Sequence, residues 1–223
     1  EAGGLVCAVQ EGFAFFDPAT GAFQALANPL AEIPGARMND GKCDRLGRFW
    51  AGSMDDAETA PIGDLYRLDP DLSWRRFPAG FTVTNGVSWS VDGRSFYLAD
   101  SDQRRVYAYD FDMAEGAPGD RRQFTALDEA EGFPDGNCVD AEDHVWVAHW
   151  DGGRVSRRRP DGSIATVISL PAPRTTSCCF GGPNLDVLYV TSARIGLDAA
   201  SLARAPLSGG VFAVTGLGVK GRP

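Results

Sequence analysis

Glu142-Asp143-His144-Val145-Trp146-Val147-Ala148 runs from turn-forming polar residues into an apolar strand that carries an aromatic and closes on small side chains. The same order recurs in Leu46-Gly47-Arg48-Phe49-Trp50-Ala51-Gly52, in Asp92-Gly93-Arg94-Ser95-Phe96-Tyr97-Leu98-Ala99 and in Leu185-Asp186-Val187-Leu188-Tyr189-Val190-Thr191. Measured on the equivalent aromatics Trp50, Tyr97, Trp146 and Tyr189, the spacings are 47, 49 and 43 residues. A second strand follows each copy, often opened by Gly and closed by Asp, as in Gly63-Asp64-Leu65-Tyr66-Arg67-Leu68-Asp69. Gly12-Phe13-Ala14-Phe15-Phe16-Asp17 reads as an earlier copy of that second strand. A period of this length, with about four short strands per unit, marks the blades of a β-propeller. A β-sandwich does not explain such regular spacing. The expectation is an all-β chain, a single β-propeller domain over 1–223, with blade-like units at about 1–35, 36–80, 81–130, 131–170 and 171–223.

Composition agrees. Twenty-seven Gly and 14 Pro are spread along the whole chain, as many short strands joined by turns require. The one helical candidate is Leu197–Arg204, read as a short turn of helix in a loop. Thirty acidic against 21 basic side chains give a net charge of −9, which argues against nucleic acid, since phosphate binding needs clustered Lys and Arg. The densest basic stretch, Arg154 to Arg159, reads as a solvated strand face. No apolar run is long enough to span a membrane, and no signal peptide is visible. The five cysteines, Cys7, Cys43, Cys138, Cys178 and Cys179, are odd in number and contain no C-x-x-C pair, so reduced, buried thiols in the cytoplasm are expected.

Propellers bind ligands where loops from several blades converge, so chemistry is sought at equivalent positions of different repeats. Three Gly-containing stretches precede the aromatic strands: Ala36-Arg37-Met38-Asn39-Asp40-Gly41-Lys42, Thr82-Val83-Thr84-Asn85-Gly86-Val87-Ser88-Trp89 and Gly132-Phe133-Pro134-Asp135-Gly136-Asn137-Cys138. Each alone reads as a tight β-turn. Their recurrence at one phase of the repeat raises the functional reading, and Asn and Asp oxygens suit a hard or borderline divalent cation. His144 and His149 are the only histidines, so a His-rich zinc site is excluded. Neither a G-x-S-x-G elbow nor a phosphate-cradling Gly loop occurs.

These stretches, with Trp146-Val147-Ala148, Cys179-Phe180-Gly181-Gly182-Pro183, Thr191-Ser192-Ala193-Arg194 and Pro206-Leu207-Ser208-Gly209-Gly210-Val211-Phe212, closely resemble the SMP-30/gluconolactonase/regucalcin family, especially its bacterial sugar lactonases of the xylonolactonase kind. The resemblance implies a six-bladed propeller, about five blades of which this chain would supply, with one divalent ion (Ca, Zn, Mn or Fe(II)) on its axis. It implies Asn85 and Asp135 as metal ligands, with Asp135 also accepting a proton from the attacking water. A third ligand, the Glu of an L-G-E-G-P motif, has no counterpart in this sequence; Glu11 is the acidic residue on an early turn. Substrate contacts map to Arg37 and Asn39, and a substrate-binding Glu to Glu58. The activity implied is hydrolysis of an aldono-1,4- or 1,5-lactone to the aldonic acid by a cytoplasmic monomer or weak oligomer with no nucleic-acid or membrane partner. The alternatives are a non-catalytic propeller that binds a small ligand or partner, and a promiscuous esterase or organophosphate hydrolase.

Overall fold

The computed structural model describes residues 3–222. Its sheets are antiparallel meanders taken in chain order. β1 (Leu5–Val9), β2 (Gly12–Asp17) and β3 (Ala22–Ala27) form the first. β4 (Ala36–Cys43), β5 (Phe49–Asp55), β6 (Gly63–Leu68) and β7 (Trp74–Phe81) form the second. The third holds β8 (Thr84–Trp89), β9 (Ser95–Asp100), β10 (Arg105–Asp112) and β11 (Ala117–Ala126). The fourth holds β12 (Phe133–Val139), β13 (Val145–Trp150), β14 (Arg154–Arg158) and β15 (Ile164–Ser169). β16 (Thr175–Gly181), β17 (Val187–Ser192) and β18 (Val211–Val214) complete the fifth. Meanders of three or four strands repeated along the chain are propeller blades, so the fold is all-β and of the propeller type. A short helix, α1 (Ala199–Arg204), is capped by Asp198, whose side chain accepts the Ser201 N–H. Among the described residues no helix is long and apolar enough to cross a membrane.

The chain divides into two compact units, and the division falls inside β8, between Val87 and Ser88. In the first unit Phe13, Met38, Ala51, Tyr66 and Leu68 form a buried cluster from β2, β4, β5 and β6. In the second unit Trp146, Ala148, Val155, Cys178, Leu188 and Val190 do the same from β13, β14, β16 and β17.

One device builds the repeat twice over. Asp44 Oδ1 accepts the N–H groups of Leu46 and Arg48 at 2.9 and 3.1 Å, while Oδ2 takes the Trp50 indole N–H at 3.0 Å. Asp140 Oδ1 accepts Glu142 and His144 N–H at 2.9 and 3.0 Å, and its Oδ2 takes the Trp146 indole at 2.9 Å. Each carboxylate closes the turn before its strand and pegs the aromatic six residues on. An arginine from the next strand lies over each ring, Arg67 on Trp50 at 5.7 Å and Arg157 on Trp146 at 5.9 Å. Cation–π attraction at such separations adds to the burial of the indoles.

Several expectations change. Asn39-Asp40-Gly41, Asn85-Gly86 and Asp135-Gly136 lie inside strands β4, β8 and β12 rather than in tight turns. The pairing slips between Met38 and Gly41 in β4 and between Pro134 and Asn137 in β12. These are β-bulges, which bend a strand and re-aim its side chains without ending it. Arg157 and Arg158 are not a solvated face: Arg157 pairs with Asp140 and Glu142, both at 2.7 Å, and Arg158 is buried against Glu131 at 3.3 Å. Long guanidinium stems can lie along the sheet and still reach a carboxylate. The cysteines are in no disulfide among the described residues, but only Cys138 and Cys178 are buried, while Cys43 and Cys179 are exposed. Their strand phase turns alternate side chains outward.

Candidate functional site

The first unit brings Arg37, Asn39 and Asn85 into one hydrogen-bonded row. Arg37 Nη1 donates to Asn39 Oδ1 at 3.0 Å, and Asn39 Nδ2 donates to Asn85 Oδ1 at 3.1 Å and to the Thr84 carbonyl at 2.8 Å. Guanidinium nitrogens can only donate, so Asn39 must present its oxygen to Arg37 and its nitrogen to Asn85. That fixes both amide orientations: the oxygen of Asn85 is the atom set against Asn39. Arg37 is held at its other edge by Asp56, Nε to Oδ1 at 2.8 Å, in an exposed pair that contributes little to stability but sets the guanidinium plane. Asn85 is buried, whereas Arg37 and Asn39 are half-buried.

Close backbone approach explains the small residues here. A Cβ on Gly52 would collide with the side chain of Thr84, and Gly86 has φ +56°, the left-handed region that favours glycine. Thr84 is fully buried and donates Oγ1 to the Ser53 carbonyl at 2.8 Å, so β8 is locked to β5 immediately before Asn85.

Glu58 is not brought to this row. It is exposed on the loop after β5, at φ +56°, and the carboxylate that touches Arg37 is Asp56. The loop is organised by Asp55, whose Oδ2 accepts the Thr59 N–H at 2.8 Å, the Thr59 hydroxyl at 2.9 Å and the Ala60 N–H at 2.8 Å. The Thr59 amide and hydroxyl and the Ala60 amide hold that carboxyl below its ordinary range. Glu11 is exposed in the turn between β1 and β2.

In the second unit Asp135 is half-buried at the bulge of β12, with Oδ1 accepting the Gly136 N–H at 2.9 Å. The residue before it is fixed by Ser101, which donates Oγ to the Pro134 carbonyl at 2.6 Å. A Cβ on Gly136 would run into the side chain of Ser177, so glycine is required here for space rather than for φ. On the neighbouring strand β13, His149 is fully buried; its Nδ1 lies 2.8 Å from the Glu131 carbonyl and its Nε2 2.8 Å from Ser156 Oγ. A carbonyl only accepts, so Nδ1 carries the proton and Nε2 accepts from Ser156. Burial and the nearby Arg158 and Arg154 push this histidine down to about 4, against the smaller opposing effect of Glu131.

Among the described residues no three His, Cys, Asp or Glu side chains group as a metal cluster. An open depression of about 830 Å³ in the second unit, bordered by Asp92, Arg94, Asp110 and Met113 among others, includes none of the sequence-predicted residues. Sequence reasoning missed Asp40, Asp56, Thr84, Ser101 and Ser177. Of these only Asp40 and Thr84 carried a signal, their places inside the Asn-Asp-Gly and Thr-Asn-Gly stretches.

Residues 1–194 match the protein family described as SMP-30/Gluconolactonase/LRE-like region. A regucalcin of Danio rerio is 45% identical over 226 residues, an alignment that covers 100% of this chain and 76% of that protein. Among solved structures, a calcium-binding protein, regucalcin, from Agrobacterium tumefaciens is 31% identical with a TM-score of 0.92, covering 100% of this chain and 75% of its own. A gluconolactonase from Xanthomonas campestris is 25% identical with a TM-score of 0.69, over 84% of this chain and 65% of its own.

Proposed function

Because the chain belongs to the SMP-30/gluconolactonase/LRE-like family, we propose that it is a lactonase that opens an aldono-1,4- or 1,5-lactone to the aldonic acid with the help of one divalent ion. The observation that carries this reading is the row Arg37–Asn39–Asn85, which fixes two amides and a guanidinium in a defined order. Such a row suits recognition of a sugar, whose hydroxyls and carbonyl need donors and acceptors of fixed sense; a buried donor left unpaired costs about 1–3 kcal/mol. The five sheets are read as blades of a propeller of the six-bladed type.

Asn85 and Asp135 are the metal ligands that the family resemblance assigns, and their chemistry fits: one amide oxygen whose orientation Asn39 fixes, and one carboxylate. Two oxygen donors suit Ca, Mn or Fe(II), and Zn accepts them too. A divalent ion supplies Lewis acidity that polarises an ester carbonyl and stabilises the developing oxyanion. Arg37 and Asn39 orient the lactone, Arg37 through its donors and Asn39 through its fixed amide. Asp135 would accept the proton of the attacking water and return it to the departing ring oxygen. The partner in this reading is a small sugar lactone, not a nucleic acid or a membrane.

Asn85→Ala and Asp135→Ala test the assignment. Each is expected to abolish divalent-ion binding in calorimetry and aldonolactone turnover, with the β-sheet circular dichroism unchanged. Undiminished turnover in both variants would remove the metal mechanism. Ion binding by the unaltered chain without turnover of any lactone would favour the non-catalytic binding propeller, and turnover of aryl esters or phosphotriesters alone the promiscuous hydrolase.

A further inference from the structure

Asp40 belongs to the same bulge as Asn39, yet neither substrate contact nor metal ligation has been assigned to it. The strand pairings set its phase. Met38 pairs with Ser53 and Gly41 with Ala51 in the second sheet, as Pro134 pairs with His149 and Asn137 with Val147 in the fourth. Asn39 is therefore the counterpart of Asp135, and Asp40 the counterpart of Gly136. In β8 the matching pair by sequence phase is Asn85–Gly86. Asp40 thus places a carboxylate where the β12 bulge has Gly136 and where β8, by sequence phase, has Gly86.

That carboxylate spans two strands. Oδ1 accepts the Gly41 N–H at 2.8 Å, and Oδ2 accepts the Gly86 N–H at 3.0 Å. The residues on either side of Asn85 are then both fastened to the Asn39–Asp40 bulge: the Thr84 carbonyl by Asn39 Nδ2 at 2.8 Å, and the Gly86 amide by Asp40. Gly86, at φ +56°, leaves the backbone N–H open to such an approach and is itself held in an uncommon conformation. Charge-assisted bonds from a carboxylate to backbone N–H groups are among the stronger neutral-pH hydrogen bonds.

We propose that Asp40 is the positioning residue of Asn85: by gripping the Gly86 amide, it fixes where the Asn85 side-chain oxygen stands. The proposal deepens the lactonase reading and rests on it, through the role given to Asn85. Supporting residues behind metal ligands typically matter 10–100-fold in ion affinity or activity.

The test titrates Ca²⁺ and Mn²⁺ separately into the full chain by calorimetry and measures aldonolactone kinetics at saturating ion. Asp40→Ala is expected to weaken ion binding about 10–100-fold. At saturating ion it should lower kcat and leave KM near its original value, because Arg37 and Asn39 are untouched. Its melting temperature in EDTA should stay within a few degrees of the unaltered chain, a readout that separates positioning from a general structural role. Asp40→Asn keeps an acceptor at the same reach and should recover most of the affinity; Asp40→Glu keeps the charge but moves the acceptor and should not. That pair also decides the matter should Asp40→Ala fail to fold. Ion affinity unchanged in Asp40→Ala, or recovery by Glu and not by Asn, overturns the proposal. If neither ion binds the unaltered chain, the ligand role of Asn85 falls and this proposal with it. If Asn85→Ala loses the ion and Asp40→Ala keeps it, only the proposal falls.

Discussion

His149 shows how much one buried side chain can bring to a pH profile. Its neutral ring donates to the Glu131 carbonyl and accepts from Ser156, whose oxygen also takes Arg158 Nε at 3.1 Å. With the folded pKa pushed down to about 4 against 6.5 when unfolded, the unfolded chain binds the extra proton between those values. Stability therefore rises with pH through this window. The contribution is fully present above the unfolded value, and roughly 3 kcal/mol of it is lost as the pH falls toward 4. Urea denaturation at pH 7 and pH 4.5 should show this loss, and His149→Gln should flatten it; an equal pH slope in the variant would rule out His149 as the cause. At the same scale, Asn85 and Asp135 stand out as candidates in the sequence because Asn-Gly and Asp-Gly recur at one phase of the repeat. Asp56 was not legible as the partner of Arg37. Nothing in one dimension says that the guanidinium turns toward residue 56 rather than Glu58, since backbone direction after β5 decides it.

Among the elements, the turn carboxylates carry the clearest prediction. Asp140 is fully buried, accepts two backbone N–H groups and the Trp146 indole, and pairs with Arg157. Asp140→Ala leaves those donors facing a void and is expected to cost about 3 kcal/mol or more, since hydrogen bonds to charged groups are each worth about 1.5–3 kcal/mol. Asp140→Asn keeps an acceptor and should cost less. Chemical denaturation measures both, and a loss below about 1 kcal/mol in Asp140→Ala would contradict the role drawn for the peg. The strands themselves were legible: apolar runs around Trp50, Tyr97, Trp146 and Tyr189 all became strands at the expected spacing. The bulges were not. Asn-Asp-Gly and Pro-Asp-Gly read as turns because glycine is the usual turn residue, whereas Gly136 is needed to let Ser177 approach, a tertiary demand invisible in sequence.

For the whole molecule, the propeller type was legible in the repeat period, because each blade is one unit of about four strands that recurs along the chain. Net charge and composition narrowed the partner class but could not choose a substrate, since sugar recognition depends on side-chain poses such as the Arg37–Asn39–Asn85 row. The same acidic balance predicts that the chain stays unbound to duplex DNA at low salt, where any phosphate affinity is greatest, as a mobility-shift assay would record. The proposed activity is lactone hydrolysis that needs a divalent ion. It is tested most directly by pH-stat titration of xylono-, glucono- and galactonolactone, with Ca²⁺, Mn²⁺, Zn²⁺ or Fe²⁺ supplied in turn and an EDTA control. Acid release above the spontaneous rate is expected for at least one lactone with at least one ion, and none above it in EDTA. Spontaneous rates throughout, or the same catalysed rate in EDTA, would contradict it.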